Sequence, residues 1–430
     1  MSVPPAPAPA ARAPPAAAAA TAAMLVSLGA LAGACWRDVR LLPAAATKPD
    51  GASDALPGAE TGGDVAADSG APLACSGAGD PIRLATAAGP VCAAALEARG
   101  HRFVLCSCKA LAASARIRTD AFDSRDASVQ DERAAAIGVG GGLQSTAEVR
   151  AGGALYVAGS DGVRASDHVQ TGGTLRVGGP LAMLSSMAEV AGDAFVAGDL
   201  TGTVRVAGAL HVPAAAAAGA DTEAASIVRE AVTVGAPCDC GAGFVDLGAT
   251  IAAAAASNGD AAAGLAPAAL AAVSAATRLD LPCGALYLTS IGTSAAVTLA
   301  VHGHALLVVD GDVVLRGSLS VALDPSAELD LVIGGRLSAS GGGALGSLAA
   351  PARFRIWIAG TSTIVLDDQP SVSAVMRAPQ AALSASSGLS LRGSLLAASV
   401  DLRADSSLHF DRAILEAGVP CGEPAAAIVP

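Results

Sequence analysis

Three neighbouring segments of the chain share one pattern of apolar and polar positions. The first runs Val149-Arg150-Ala151-Gly152-Gly153-Ala154-Leu155-Tyr156-Val157, and the second Val169-Gln170-Thr171-Gly172-Gly173-Thr174-Leu175-Arg176-Val177. The third, one residue shorter, runs Val190-Ala191-Gly192-Asp193-Ala194-Phe195-Val196. Their starts are 20 and then 21 residues apart. Each holds a short strand, a glycine turn and another strand. One such unit cannot bury its own apolar face, whereas stacked units can, so the period predicts a β-solenoid.

The same punctuation returns later. Short apolar runs at 285–288, 297–301, 305–309, 313–315, 329–333, 354–358, 389–391 and 408–410 are separated by Gly, Ser and Asp. Continuous runs such as 305–309 suit parallel strands covered on both sides. The expected organisation is a disulfide-pinned N-terminal cap over 74–131, solenoid repeats over 132–213 and a partly helical insertion over 214–282. Further solenoid follows over 283–421. Within the insertion, a helix is expected around 223–232. The fold class expected is all-β, a right-handed parallel β-helix.

Composition supports this picture. Apolar residues make up 52 % of the 430, yet aromatics only 2 %. The apolar mass is Ala, Val and Leu, which suits thin stacked layers. A fully buried Val or Leu contributes about 1.5–3 kcal/mol, so ladders of them can hold a solenoid together. The net charge of −12 argues against nucleic-acid binding, which needs a basic footprint.

A second feature lies upstream. The stretch Met24-Leu25-Val26-Ser27-Leu28-Gly29-Ala30-Leu31-Ala32-Gly33-Ala34-Cys35 is a signal-peptide-sized apolar core ending in small residues and a cysteine. Leu31-Ala32-Gly33-Ala34-Cys35 resembles a bacterial lipobox, which implies cleavage after Ala34 and lipidation of Cys35. The uncharged run over 16–34 is mostly alanine, and its strongly apolar part falls short of the ~20 residues a spanning helix needs. The Ala-, Gly-, Pro- and Asp-rich stretch 36–73 reads as a disordered tether. These features predict an exported chain anchored at the outer membrane or cell surface.

Eight further cysteines are Cys75, Cys92, Cys106, Cys108, Cys238, Cys240, Cys283 and Cys421. An even count in an exported chain implies disulfides. Proximity groups Cys75 and Cys92 with Cys106 and Cys108, and Cys238 and Cys240 with Cys283 and Cys421. No bond within either Cys-x-Cys is expected.

Catalytic signals are sparse. Asp310 and Asp312 follow a strand, and Glu328 and Asp330 lie one coil later. Stacked carboxylates of this kind could bind Ca²⁺, or serve as an acid/base pair if they shared one open groove. Asp-Gly after a strand is also ordinary corner chemistry. His409 with Asp411 is a weak dyad candidate. A zinc site from Cys238, Cys240, His302 and His304 competes with disulfide formation. The aromatic residues look scattered along the chain, which counts against a sugar-cleaving groove. Neither a metal nor a cofactor is expected.

The C-terminal stretch carries a family resemblance. Ala378-Pro379-Gln380-Ala381, Arg392-Gly393-Ser394-Leu395-Leu396-Ala397 and Leu408-His409-Phe410-Asp411-Arg412-Ala413-Ile414 resemble an uncharacterised domain of bacterial surface and pilus-associated proteins. With Leu105-Cys106-Ser107-Cys108, Pro237-Cys238-Asp239-Cys240 and Leu329-Asp330-Leu331-Val332-Ile333, the wider pattern is similar to Gly/Ala-rich lipoproteins of myxobacterial type. The resemblance spans about 75–421, and its motifs are structural.

Together these features point to a cell-envelope lipoprotein with a structural, scaffolding or adhesive role. Its expected partners are the membrane, through its lipid, and an envelope protein, matrix polysaccharide or further copies of itself. The alternative is a secreted carbohydrate-active β-helix enzyme using Asp310, Asp312 and Asp330.

Overall fold

The computed structural model describes residues 78–416, apart from 101, 132, 134, 220 and 242–244. These belong to the second of two compact units, 1–66 and 67–430. The lipobox with Cys35, most of the tether, Cys75 and Cys421 lie outside the described residues.

The described chain is a parallel β-solenoid with three sheets: A holds rungs such as 155–157 and 175–177, B rungs such as 143–145 and 163–165, and C rungs such as 149–151 and 169–171. Most rungs are triplets that read in–out–in, as Leu155-Tyr156-Val157 does: Leu155 and Val157 are fully buried, and Tyr156 points outward. That alternation is the two-residue period of a strand. Inward positions stack rung upon rung, so Ile137, Leu155 and Leu175 form one ladder in sheet A.

Corners between rungs demand glycine where stacked backbones come closest. A Cβ on Gly172 would sit 1.9 Å from the carbonyl oxygen of Gly152, the equivalent corner of the preceding coil. The recurring Gly-Gly is therefore a stacking requirement as much as a turn preference.

The order of coils in space differs from their order in sequence. Strand Leu105–Ser107 pairs with Ile137–Val139 on one side and with Leu395, Leu396 and Ala397 on the other. Strand Ile117–Asp123 is likewise held between Ser406–Asp411 and Val149–Ala151. Residues 105–122 are thus an interior coil and not the terminal cap expected for 74–131. Physically, the 406–411 edge needs a partner, and this coil fills the gap between two stacks.

From this junction the chain builds outward to Thr222–Arg229, the last rung of one stack. The helix expected around 223–232 is this strand; its pairing with residues 204–212 overrides local helix preference. The chain then doubles back along the outside and resumes at Thr277–Leu281. Rung by rung it returns to the junction at 406–411. The solenoid therefore extends beyond 213 and starts again before 283.

The returning segment carries helices. Helix α1 (Ala93–Gly100) precedes the junction coil, and α2 (Leu247–Ala256) and α3 (Asp260–Ala263) lie in the return. Asp246 caps α2 by accepting from the Ala249 amide at 2.8 Å. Ala254 of α2 meets Val308, Val332 and Trp357 on the outer surface of sheet A, together with Leu84 and Leu96 from the leading segment. These outward apolar residues explain why 305–309 and 329–333 read as continuous apolar runs. Beyond α3, Leu265 and Leu270 join the core at that end, and Asp260 accepts the Tyr287 amide at 2.9 Å.

The disulfides cross the two expected groups. Cys106 bonds Cys238 and Cys108 bonds Cys240, each across 132 residues. The returning strap passes directly over the junction coil, so the facing Cys-x-Cys pairs meet. Cys92 and Cys283 are also disulfide-bonded.

Candidate binding face

The carboxylates proposed for catalysis do not share a groove. Asp330 is fully buried on the covered face of sheet A. Arg355 donates to it twice, at 2.8 Å and 2.6 Å, and the Trp357 indole donates at 2.6 Å. Glu328 takes a further bond from Arg355 at 2.6 Å. Every oxygen of Asp330 is committed to holding the stack. Asp310 accepts from the Tyr287 hydroxyl at 3.0 Å, and Asp312 accepts the Arg336 amide and pairs with its guanidinium. Both sit in the corner after 304–309, so the turn explanation accounts for them.

The other candidate pairs separate as well. His409 pairs with Asp120 at 2.6 Å, while buried Asp411 accepts the amides of Ser124, Ala352 and Ala413. The zinc candidate dissolves, because Cys238 and Cys240 are in disulfides. His302 lies between Asp280 and Asp324, which raise its pKa. Among the described residues there is no group of three metal-ligating side chains, and no helix is long and apolar enough to cross a membrane.

What the fold assembles is an outward ladder on sheet A. Register places Tyr287, Val308, Val332, Trp357, Arg377, Leu396, Cys106, Gly138, Tyr156, Arg176, Phe195 and His211 at successive rungs of one row. The return and the leading segment cover the row from Val308 to Gly138. At Gly138 the strap lies so close that a Cβ would come within 3.1 Å of Pro237. Beyond it the ladder emerges, and the next four side chains are partly exposed.

These four stack on each other. Phe103 meets Tyr156 edge-on at 5.6 Å, and the Arg176 guanidinium lies 5.9 Å from Tyr156 and 4.3 Å from Phe195. Phe195 and His211 are parallel at 4.2 Å, and His211 reaches Glu230 at 2.7 Å. Rung spacing of about 4.8 Å matches ring-stacking distance, so register alone builds the column. The aromatics that look scattered in sequence are therefore aligned in space. The signal was present at the middle position of each Leu/Ala-x-Val triplet, read between copies instead of along the chain.

A cleft of about 560 Å³ runs between this column and the strap. Arg102, Arg133 and Arg176 line it with Phe103 and Tyr156, and among the described residues no carboxylate does. Around the Gly152–Gly153 corner a second cleft, about 430 Å³, holds Arg118, Arg133 and Arg150 with Asp120. Among the described residues, Arg102, Arg133 and Arg150 make no ion pair, and Arg118 pairs with Glu148 at 3.6 Å.

The family match falls on one stack. Residues 248–417 match a family described as a domain of unknown function, DUF7305. The matched stretch starts in α2 and includes all the rungs from 277 to the junction. A comparison with curated proteins finds no match. Among solved structures, an ice binding protein from an Antarctic bacterium, Flavobacteriaceae, aligns at 10% identity with a TM-score of 0.19. That alignment covers 73% of this chain and 97% of the other.

Proposed function

We propose that the protein is a cell-envelope lipoprotein whose solenoid is displayed as a rigid binding element, with an adhesive or scaffolding role. The observation that carries this reading is the division of one outward ladder. Covered where the strap crosses, it is left open as a stacked aromatic–cationic column beyond Gly138. A solenoid with a preformed face suits surface recognition, because rigid side chains lose little freedom on binding. The committed, buried state of Asp330 weakens the alternative of a carbohydrate-cleaving enzyme. Cys35 would carry the lipid, and 36–73 would space the solenoid from the membrane.

Protease treatment of intact cells tests display. The reading expects a large resistant fragment released from the cell surface, with its N-terminus between 36 and 77. Protection of the whole chain until the outer membrane is opened would overturn surface display.

A further inference from the structure

We infer that the paired clefts at the Gly152–Gly153 corner form a binding site for an acidic polysaccharide. This deepens the binding reading above and rests on it. Three observations carry it. The chain is acidic overall, at −12, yet the larger cleft presents Arg102, Arg133 and Arg176, with no carboxylate among its described lining residues. Arg133 lines both clefts, so the guanidinium groups continue round the corner to Arg118 and Arg150. Phe103 and Tyr156 form an apolar wall beside them, at 5.6 Å from each other.

Each element has a chemical counterpart in such a polymer. Guanidinium groups recognise carboxylates and sulfates through paired, charge-assisted hydrogen bonds. Aromatic edges and faces accept the apolar side of a sugar ring. Two clefts that meet at Arg133 offer a chain with repeated charges several points of contact, whereas a single small anion would use only one of them. Arg176 is already held over Phe195, so one cationic group is positioned before the ligand arrives.

The test is affinity electrophoresis of the full chain through gels containing polygalacturonate, with dextran as the neutral control. Polygalacturonate should retard the protein, dextran should not, and raising salt to about 0.5 M should abolish retardation. Arg133→Ala, common to both clefts, should weaken binding about tenfold, the size of one charge-assisted contact. Arg164→Ala, on the exposed outer row of sheet B, should leave it unchanged. Circular dichroism of each variant confirms folding, and Arg133→Lys provides a second variant that keeps charge but loses the planar fork. No retardation, or equal loss in Arg164→Ala, would overturn the inference. So would tighter binding to anionic phospholipid vesicles than to polygalacturonate. If retardation is absent while protease still releases the solenoid from intact cells, only the ligand class falls. Failure of release overturns the display reading independently.

Discussion

Leu105 and Leu395 stand side by side in parallel register, although they come from opposite ends of the described chain. Leu105 is fully buried and Leu395 nearly so. Around them the Leu395 amide donates to Val104 and the Cys108 amide to Ala397, both at 2.9 Å. The solenoid is therefore closed in its middle, and the closing contact is ordinary apolar stacking with ladder hydrogen bonds.

Truncating that contact should loosen the junction. Leu105→Ala or Leu395→Ala should each cost about 2–5 kcal/mol, the range for a buried leucine. The pair should be non-additive because the residues touch. Urea unfolding of the two single variants and the double variant measures both effects.

The strap should depend on its two disulfides. Non-reducing peptide mapping should find Cys106 with Cys238 and Cys108 with Cys240. Replacing one pair by serine should lower stability by about 2–5 kcal/mol, read from the shift in unfolding midpoint.

Asp330 should behave as a structural anion. Asp330→Asn leaves Arg355 partly uncompensated in a buried site, so a loss of about 3–5 kcal/mol is expected. The double replacement Asp330→Leu with Arg355→Met should recover much of that loss. Denaturation curves of the three proteins distinguish this role from a surface one.

His302 should give a weak pH dependence. Its two ring nitrogens face Asp324 at 3.0 Å and Asp280 at 3.1 Å. Hydrogen bonding to Asp324 first, then to Asp280, raises its pKa above the ordinary 6.5. The stability it contributes is complete below 6.5 and is lost as pH rises through the raised value in the folded protein. Asp280, whose pKa is lowered by Arg278 first and then His302, works in the opposite direction. Its contribution is present above 3.8 and lost as pH falls through the lowered value. Both groups are well exposed to solvent, so the effect should be small. Urea midpoints across neutral pH should decline less in His302→Gln than in the parent.

Much of the architecture was legible from periodicity. The Val-x-Ala/Thr-Gly-Gly unit announced rungs and corners, and Ala305-Leu306-Leu307-Val308-Val309 announced a strand covered on both sides. The spatial order of coils was not legible. Nothing local to Leu105 says that it meets Leu395, because any apolar rung can stack on any other. The same degeneracy hid the cysteine pairing, which depends on where the strap returns. The stretch 223–232 read as helix because its propensities are neutral, and only the neighbouring rung makes Thr222–Arg229 a strand. The ladder of Tyr156, Arg176 and Phe195 was visible only by aligning the repeats and comparing their middle positions.

The most direct test of the envelope reading is intact-protein mass with membrane fractionation, for the expressed full chain beside Cys35→Ala. The account predicts a chain cleaved before Cys35, a diacylglycerol-type mass increment and membrane association, with increment and association both lost in the variant. An unlipidated soluble protein in both cases would contradict it.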